Sequence, residues 1–343
     1  MSSLKYGFVN ARVGAMKSHL LDGMEMKTLI ESRNFDDALA LLKNTAYGKE
    51  LSKLSSPSLI DVENVLQKAM LTDYGKLAIS VTGASKKFLA HYAKKAEIEA
   101  IKTLLIMKTK GEEVKDYPWI LERIMAVEAA EKLVDVGTPG EIVEMLRFTE
   151  YYTVLHKAVS EATEQDSPYP FIEALDTYFY SRLNSILRKM GGKDRKIVEH
   201  LVGIEVDAKN LLIALRTRGT GGEVTGHLMP MRYRLSDPDL QAAFNIKSIG
   251  EVQQIFQHYN DIISQGVKDF EDTGSFFGLE SGFQEFKLKQ NKRLFGGDRF
   301  HMGIPIAFLN LKSNEIRNLT AILQGKEESL SVEQIEKTVS LLA

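Results

Sequence analysis

One helical passage recurs along this chain, and that repetition limits the possible folds more than any other feature. Glu97–Lys108 reads EIEAIKTLLIMK and Glu205–Arg216 reads EVDAKNLLIALR, 108 positions later, with Glu, Ala and Leu kept at three places. Conservative pairs fill further places: Ile98/Val206, Glu99/Asp207, Leu105/Ile213, Met107/Leu215 and Lys108/Arg216. Another shift of 108 carries Asp207 to Glu315 and Asn210-Leu211 to Asn318-Leu319. A second field repeats at a shift of 104: Asp37–Leu51 matches Glu141–Leu155 through Leu42/Leu146, Thr45/Thr149, Tyr47/Tyr151 and Leu51/Leu155. In the last third Glu251–Phe256 begins in the same way, but the Thr-x-Tyr element is replaced around His258 and Tyr259. Two fields recurring in the same order favour triplication over the chance likeness of Leu/Glu/Lys-rich helices.

Each copy is helical in pattern. Only 8 prolines interrupt the 343 residues, and Asp36–Leu51 places Leu39, Leu42 and Ala46 on one stripe, as an amphipathic helix requires. Gly111–Pro118 and Gly219–Pro238 break the rhythm and mark boundaries. The expectation is an all-α chain of three homologous helical domains, 1–113, 114–220 and 221–343, each near the usual domain size. Three such units arrange most economically about a pseudo-threefold axis or as a bent row, and either encloses a concavity. Glu99, Asp207 and Glu315 each stand one helical turn before Lys102, Asn210 or Asn318, so the pair shares a helix shoulder. These repeat-defining residues read as structural, ordering one helix against its neighbour. The glycines of Gly219–Gly226 read as a flexible linker.

Catalytic chemistry finds no foothold. With 44 Lys and Arg against 46 Asp and Glu, the formal net charge is −2, and no global field favours nucleic acid. The absence of cysteine removes disulfides, thiol nucleophiles and thiolate metal sites together. No HExxH spacing and no GxSxG element occurs. The Gly221–Gly226 frame GxxxxG is followed by His227-Leu228 where a phosphate-binding loop needs Lys and Ser/Thr. Asp36-Asp37 continues as DDALA without the third acid of a magnesium-binding DDxxD, and placement at a helix start accounts for both acids. No catalytic residue, cofactor or metal is therefore expected. The start of the chain shows no secretory signal pattern, and no window reaches the ~18 apolar residues of a membrane span, so membrane association is expected only through partners.

Four stretches resemble the C subunit of the archaeal-type (A/V-type) rotary ATP synthase, related to the d subunit of the vacuolar ATPase. They are Tyr6–Met16 (YGFVNARVGAM), Leu42–Leu51 with Thr45 and Tyr47, the set Asp207, Asn210, Leu211 and Arg216, and Asn314–Lys326 (NEIRNLTAILQGK). Thr320 departs from the arginine usual in that family. The resemblance implies a funnel of three related helical domains about a pseudo-threefold axis. It also implies a non-catalytic rotor subunit of the central stalk, joining the central-shaft subunits to the membrane proteolipid ring from the cytoplasmic face. Arg12 is a candidate partner contact, and Arg216, Arg218, Arg232 and Arg234 form a candidate basic rim for an acidic partner. The competing readings are an all-helical magnesium-dependent enzyme of prenyl diphosphates and a free-standing helical adaptor.

Overall fold

A computed structural model describes residues 2–114, 119–219, 224–256 and 258–339. Among the described residues there is no β-strand, in keeping with the all-α expectation. The chain opens with α1 (Ser2–Lys17), α2 (Gly23–Glu31), α3 (Phe35–Leu42), α4 (Gly48–Leu51), α5 (Leu59–Ala78) and α6 (Gly83–Tyr92). Next come α7 (Lys94–Thr109), a 3₁₀ turn at Trp119–Arg123, α8 (Val127–Glu131), α9 (Pro139–Met145), α10 (Tyr152–Glu164) and α11 (Tyr169–Leu187). The long α12 (Gly192–Arg216) is followed by α13 (Asp237–Phe244), α14 (Val252–Ile255), α15 (Asn260–Thr273) and α16 (Phe277–Leu294). The equally long α17 (Gly303–Glu327) and the short α18 (Val332–Thr338) close the chain.

Local chemistry sets many of these starts. Capping boxes open α2 at Asp22 with Glu25, α5 at Ser58 with Asp61, α9 at Thr138 with Glu141, α13 at Ser236 with Asp239 and α18 at Ser331 with Gln334. In each, side chain and backbone satisfy orphan amides reciprocally, a contribution of about 1 kcal/mol per cap. Helix α3 is capped by Asn34, whose side chain accepts from the Asp37 amide at 2.9 Å. Asp36 and Asp37 lie in its first turn, where the helix dipole favours them, and Asp37 also pairs with Arg33.

The stripe from Asp36 to Leu51 is not one helix. It stops after Leu42, turns, and resumes at Gly48. Thr45 drives the turn: its hydroxyl donates to the Leu42 carbonyl at 2.7 Å and accepts from the Tyr47 amide at 3.3 Å. Such a hydroxyl offers the backbone an alternative to the helical ladder. Gly48 completes it, since a Cβ there would sit 1.8 Å from the Lys43 carbonyl oxygen. Ala46 is consequently exposed while Leu39 and Leu42 stay buried.

Two apolar cores result. The larger gathers buried residues from Tyr6 to Val206, Met229 and, from the far end of the chain, Met302 to Ile335. The smaller gathers Ile204 to Phe283. Helix α12 belongs to both, with Val198, Leu201 and Val202 in the first and Leu211, Ala214 and Leu215 in the second. Helix α17 packs against α1, α3 and α5, so the last long helix lies on the first elements of the chain. The expected boundaries after residues 113 and 220 fall just beyond α7 and α12, and each of these helices is tied by its side chains to the elements that follow it.

Of the expected linker Gly219–Gly226, Thr220–Glu223, with the glycines at 221 and 222, lie outside the described residues, and the stretch that follows, residues 229–235, is held in place by side chains outside it. Asn210 accepts from the Met229 amide at 2.7 Å and donates to the Met231 carbonyl at 3.1 Å. Asn184 donates to the Pro230 carbonyl at 3.1 Å. Asp207 accepts from the Arg234 amide at 3.0 Å. Side chains of α11 and α12 thus fix a strap over residues 229–235 through its backbone, which composition alone cannot reveal.

Candidate functional site

Three tyrosines reach three buried carboxylates, one on each of α7, α12 and α17. Tyr151 donates to Glu97 Oε2 at 2.6 Å, Tyr259 to Asp207 Oδ2 at 2.9 Å and Tyr47 to Glu315 Oε1 at 2.6 Å. The first two contacts are within 54 and 52 residues, whereas the third spans 268 and joins the ends of the chain. Glu315 also accepts from the Leu21 amide at 2.5 Å, much as Asp207 accepts from Arg234. Burial is the main reason why all three phenols are pushed above their ordinary value, reinforced by the partner carboxylate. They remain neutral donors.

The surroundings of the three acids differ. Glu315 has Lys312 at 3.0 Å, buried with it, and the same ammonium reaches the Tyr47 oxygen at 2.5 Å and lies 4.2 Å from the ring centroid. Glu97 has the Arg123 guanidinium at 3.5 Å. Asp207 is fully buried and is satisfied by amides and Tyr259. Burial pushes its carboxyl up, and the hydrogen bonds from Arg234, Tyr259 and Leu235 offset this only in part.

The turns behind the tyrosines differ as well. Thr149 repeats the geometry of Thr45, donating to Leu146 at 2.8 Å and accepting from the Tyr151 amide at 3.2 Å. Tyr259, lacking that threonine, holds a left-handed backbone at φ 66°, which costs a non-glycine residue about 1–2 kcal/mol. The ring nevertheless arrives at its carboxylate, and Phe283 and Phe286 pack edge-on against it with centroids 5.0 and 5.7 Å away.

A second set of charges joins the helices to one another. Glu205 on α12 is bonded by Lys95 of α7, Lys287 of α16 at 3.0 Å, and Tyr180 of α11. Burial pushes Glu205 up, but the two ammoniums and the phenol outweigh it together and hold the carboxyl well below the usual range. Asp176 on α11 sits between Lys102 of α7 at 2.7 Å and Lys209 of α12 at 3.1 Å. Burial again opposes and the paired lysines again prevail, lowering it. Neutral amides continue the seam: Tyr92 donates to Asn310, which donates to Asn291, each at 3.0 Å. These groups lock surfaces in register; none of them presents a nucleophile with an activating base.

The family model for the ATP synthase (C/AC39) subunit matches residues 9–338, nearly the whole chain. The chain belongs to that family. Its relatives include the A-type ATP synthase C subunit of Methanocaldococcus jannaschii, 28% identical over 344 residues, covering 96% of this chain and 85% of the relative. The C subunit of the Methanosarcina mazei enzyme is 29% identical over 352 residues, covering 99% and 94%. That of Pyrococcus abyssi is 24% identical over 345 residues, covering 98% and 91%. The chain is thus a non-catalytic subunit of an A/V-type ATP synthase. No described helix of this ATP synthase subunit is long and apolar enough to cross a membrane.

The repeat-defining residues of the sequence land unevenly in the ATP synthase subunit. Asp207 and Glu315 hold tyrosines, Asn210 fixes the strap, and Asn318 is buried. Glu99 does not take the corresponding role. Its side chain is 55% exposed and pairs with Lys102, itself bonded to Asp176. Glu97, earlier on the same helix, faces the interior instead, because Tyr151 approaches from that side of α7. Best residue similarity and spatial equivalence therefore differ in register at the first copy.

The candidate contact arginines are already engaged within the subunit. Arg216 pairs with Glu280, and Arg218 donates to the Leu215 carbonyl at 2.6 Å and lies over Phe270 and Phe276. Arg232 pairs with Asp237 and donates to the Met231 carbonyl at 2.8 Å, and Arg234 lies over Tyr233 and Tyr259. Arg12 donates to Lys76 O at 2.7 Å and Ser80 Oγ at 2.8 Å and covers Phe8. Asp176 and Lys312 carry no local motif in the sequence, and Glu97 and Glu205, although identical at the start of the repeated passage, take different partners there, since the importance of all four lies in partners set by the fold.

Proposed function

We propose that this ATP synthase subunit is a rotor component of the central stalk, seated on the cytoplasmic face of the membrane between the central-shaft subunits and the proteolipid ring. One observation carries the reading: a tyrosine–carboxylate contact recurs at Tyr47–Glu315, Tyr151–Glu97 and Tyr259–Asp207, and one of the three closes the chain on itself. The natural units are then a long helix plus the elements after it: residues 94–187, residues 192–294, and a third made of 303–338 with 20–92. Three like units closed in this way suit a pseudo-threefold funnel. A closed, cross-braced body resists twist, as a part passing torque must, and shaped or charged contacts at its rim would resist slip better than apolar adhesion alone.

Arg12 is a proposed partner contact, and Arg216, Arg218, Arg232 and Arg234 are a proposed basic rim for an acidic partner. Calorimetric titration of the purified chain against the central-shaft heterodimer from the same source tests the reading. Saturable one-to-one binding that weakens with salt is expected; no heat and no co-elution at high concentration would return the chain to the free-standing adaptor reading.

A further inference from the structure

The fixed strap forms one wall of a polar cavity of about 570 Å³, between the end of α11 and the middle of α12. Its lining includes Arg188, Arg195 and Arg232, from three separate elements, with Tyr233 beside them. Gly203 sets the shape: a Cβ there would lie 2.3 Å from Tyr233 Cγ, so the ring rests directly on α12. His200 Nδ1 holds the Tyr233 hydroxyl at 2.7 Å.

Charge is left over in this cavity. Arg195 shares an exposed helical pair with Glu199 at 2.6 Å, a contact of the kind that contributes little. Arg232 is anchored by Asp237 and backbone carbonyls. Arg188 has no side-chain hydrogen bond or ion pair among the described residues. Glu199 and Asp237 offset two of the three guanidiniums and leave Arg188 in excess; on walls held by the Asn184, Asp207 and Asn210 clamps the three make a preorganised anion receptor, and forked N–H donors suit phosphoryl oxygens in particular. The volume falls in the range of small-molecule sites and exceeds what a single phosphate would fill.

We propose that this cavity binds a condensed phosphate, a chain of two or more phosphoryl groups either free or carried by a nucleotide. The inference does not depend on the rotor reading, because the probe is a small anion and no other subunit is involved. The full chain is titrated calorimetrically with inorganic tripolyphosphate and, separately, with ATP, in magnesium-free buffer. One-to-one saturable binding is expected, weakened at least tenfold in R188Q/R195Q and unchanged in R147Q, an arginine outside the cavity. Tighter binding of ATP would support the proposal and assign Tyr233 to the base; equal binding would support it with the phosphate chain as the whole ligand. Absence of saturation at millimolar probe, or equal weakening in R147Q, overturns the proposal. Both arginines of the double variant are exposed, and an unchanged circular-dichroism melting curve separates lost binding from lost fold.

Discussion

Glu315 and Asp207 fill the same role with different means of neutralising a buried charge. Each accepts a tyrosine hydroxyl and a backbone amide from a segment that would otherwise be loose. Glu315 has an ammonium buried with it, whereas Asp207 relies on amide dipoles and a phenol. The ion pair is the more brittle arrangement, because removing one partner strands the other in a low-dielectric interior. The amide-held carboxylate costs more to bury from the start and leaves no stranded charge when it is replaced. One geometry thus has two modes of failure.

The two carboxylates differ most at Lys312, the cation buried with Glu315. Lys312→Met, which leaves Glu315 buried without its cation, is expected to lower the unfolding free energy by about 3–5 kcal/mol, against about 1–2 kcal/mol for Asp207→Asn. Urea unfolding of the two variants measures this, and equal losses would abolish the distinction. Tyr47→Phe is expected to cost up to about 3 kcal/mol and Tyr259→Phe about 1.5 kcal/mol, since Tyr47 also accepts from Lys312. Thermal unfolding of the pair would contradict the account if the order were reversed.

Acid titration sharpens the contrast. Glu205 is lowered by its two lysines and Tyr180 against the opposing pull of burial. Its stabilising contribution is therefore present above the ordinary glutamate value and is lost as pH falls through its depressed folded value. The stability gap between wild type and Glu205→Gln should close as pH falls below the ordinary glutamate range. Asp207 is raised by burial, so its sign is opposite: the wild type should gain on Asp207→Asn as pH drops through the raised value toward the ordinary aspartate range. Urea midpoints collected against pH check both slopes, and parallel slopes would refute the assignment. The smallest effect is expected at Arg216→Gln, within about 0.5 kcal/mol, because the Arg216–Glu280 pair is solvent-exposed. A loss of partner binding in that variant, read by co-elution, would then report on the interface and not on folding.

Periodicity and scarce proline make the helices legible, and the repeated fields single out Tyr47, Tyr151, Asp207 and Glu315 from sequence alone. The third tyrosine is harder to read. Tyr259 lacks the threonine that shapes the other two turns, and it reaches Asp207 through a left-handed backbone that pattern matching does not register. Glu97 is hidden by similarity itself: aligning EIEAIK with EVDAKN pairs Glu99 with Asp207, while the approach of Tyr151 selects the acid earlier on the helix. The strap resembles a linker in composition because its order comes from Asn184, Asp207 and Asn210, all outside it. Contacts between the chain ends, such as Tyr47 with Glu315, depend on closure of the whole molecule and leave no local signal.

The coupling role is tested most directly by rebuilding an A/V-type ATP synthase in vesicles with and without this chain, and measuring ATP hydrolysis and ion transport together. The account predicts that omission leaves hydrolysis by the headpiece but abolishes ATP-driven ion transport, and that adding the purified chain restores it. Undiminished transport in a complex verified to lack the chain would contradict the account.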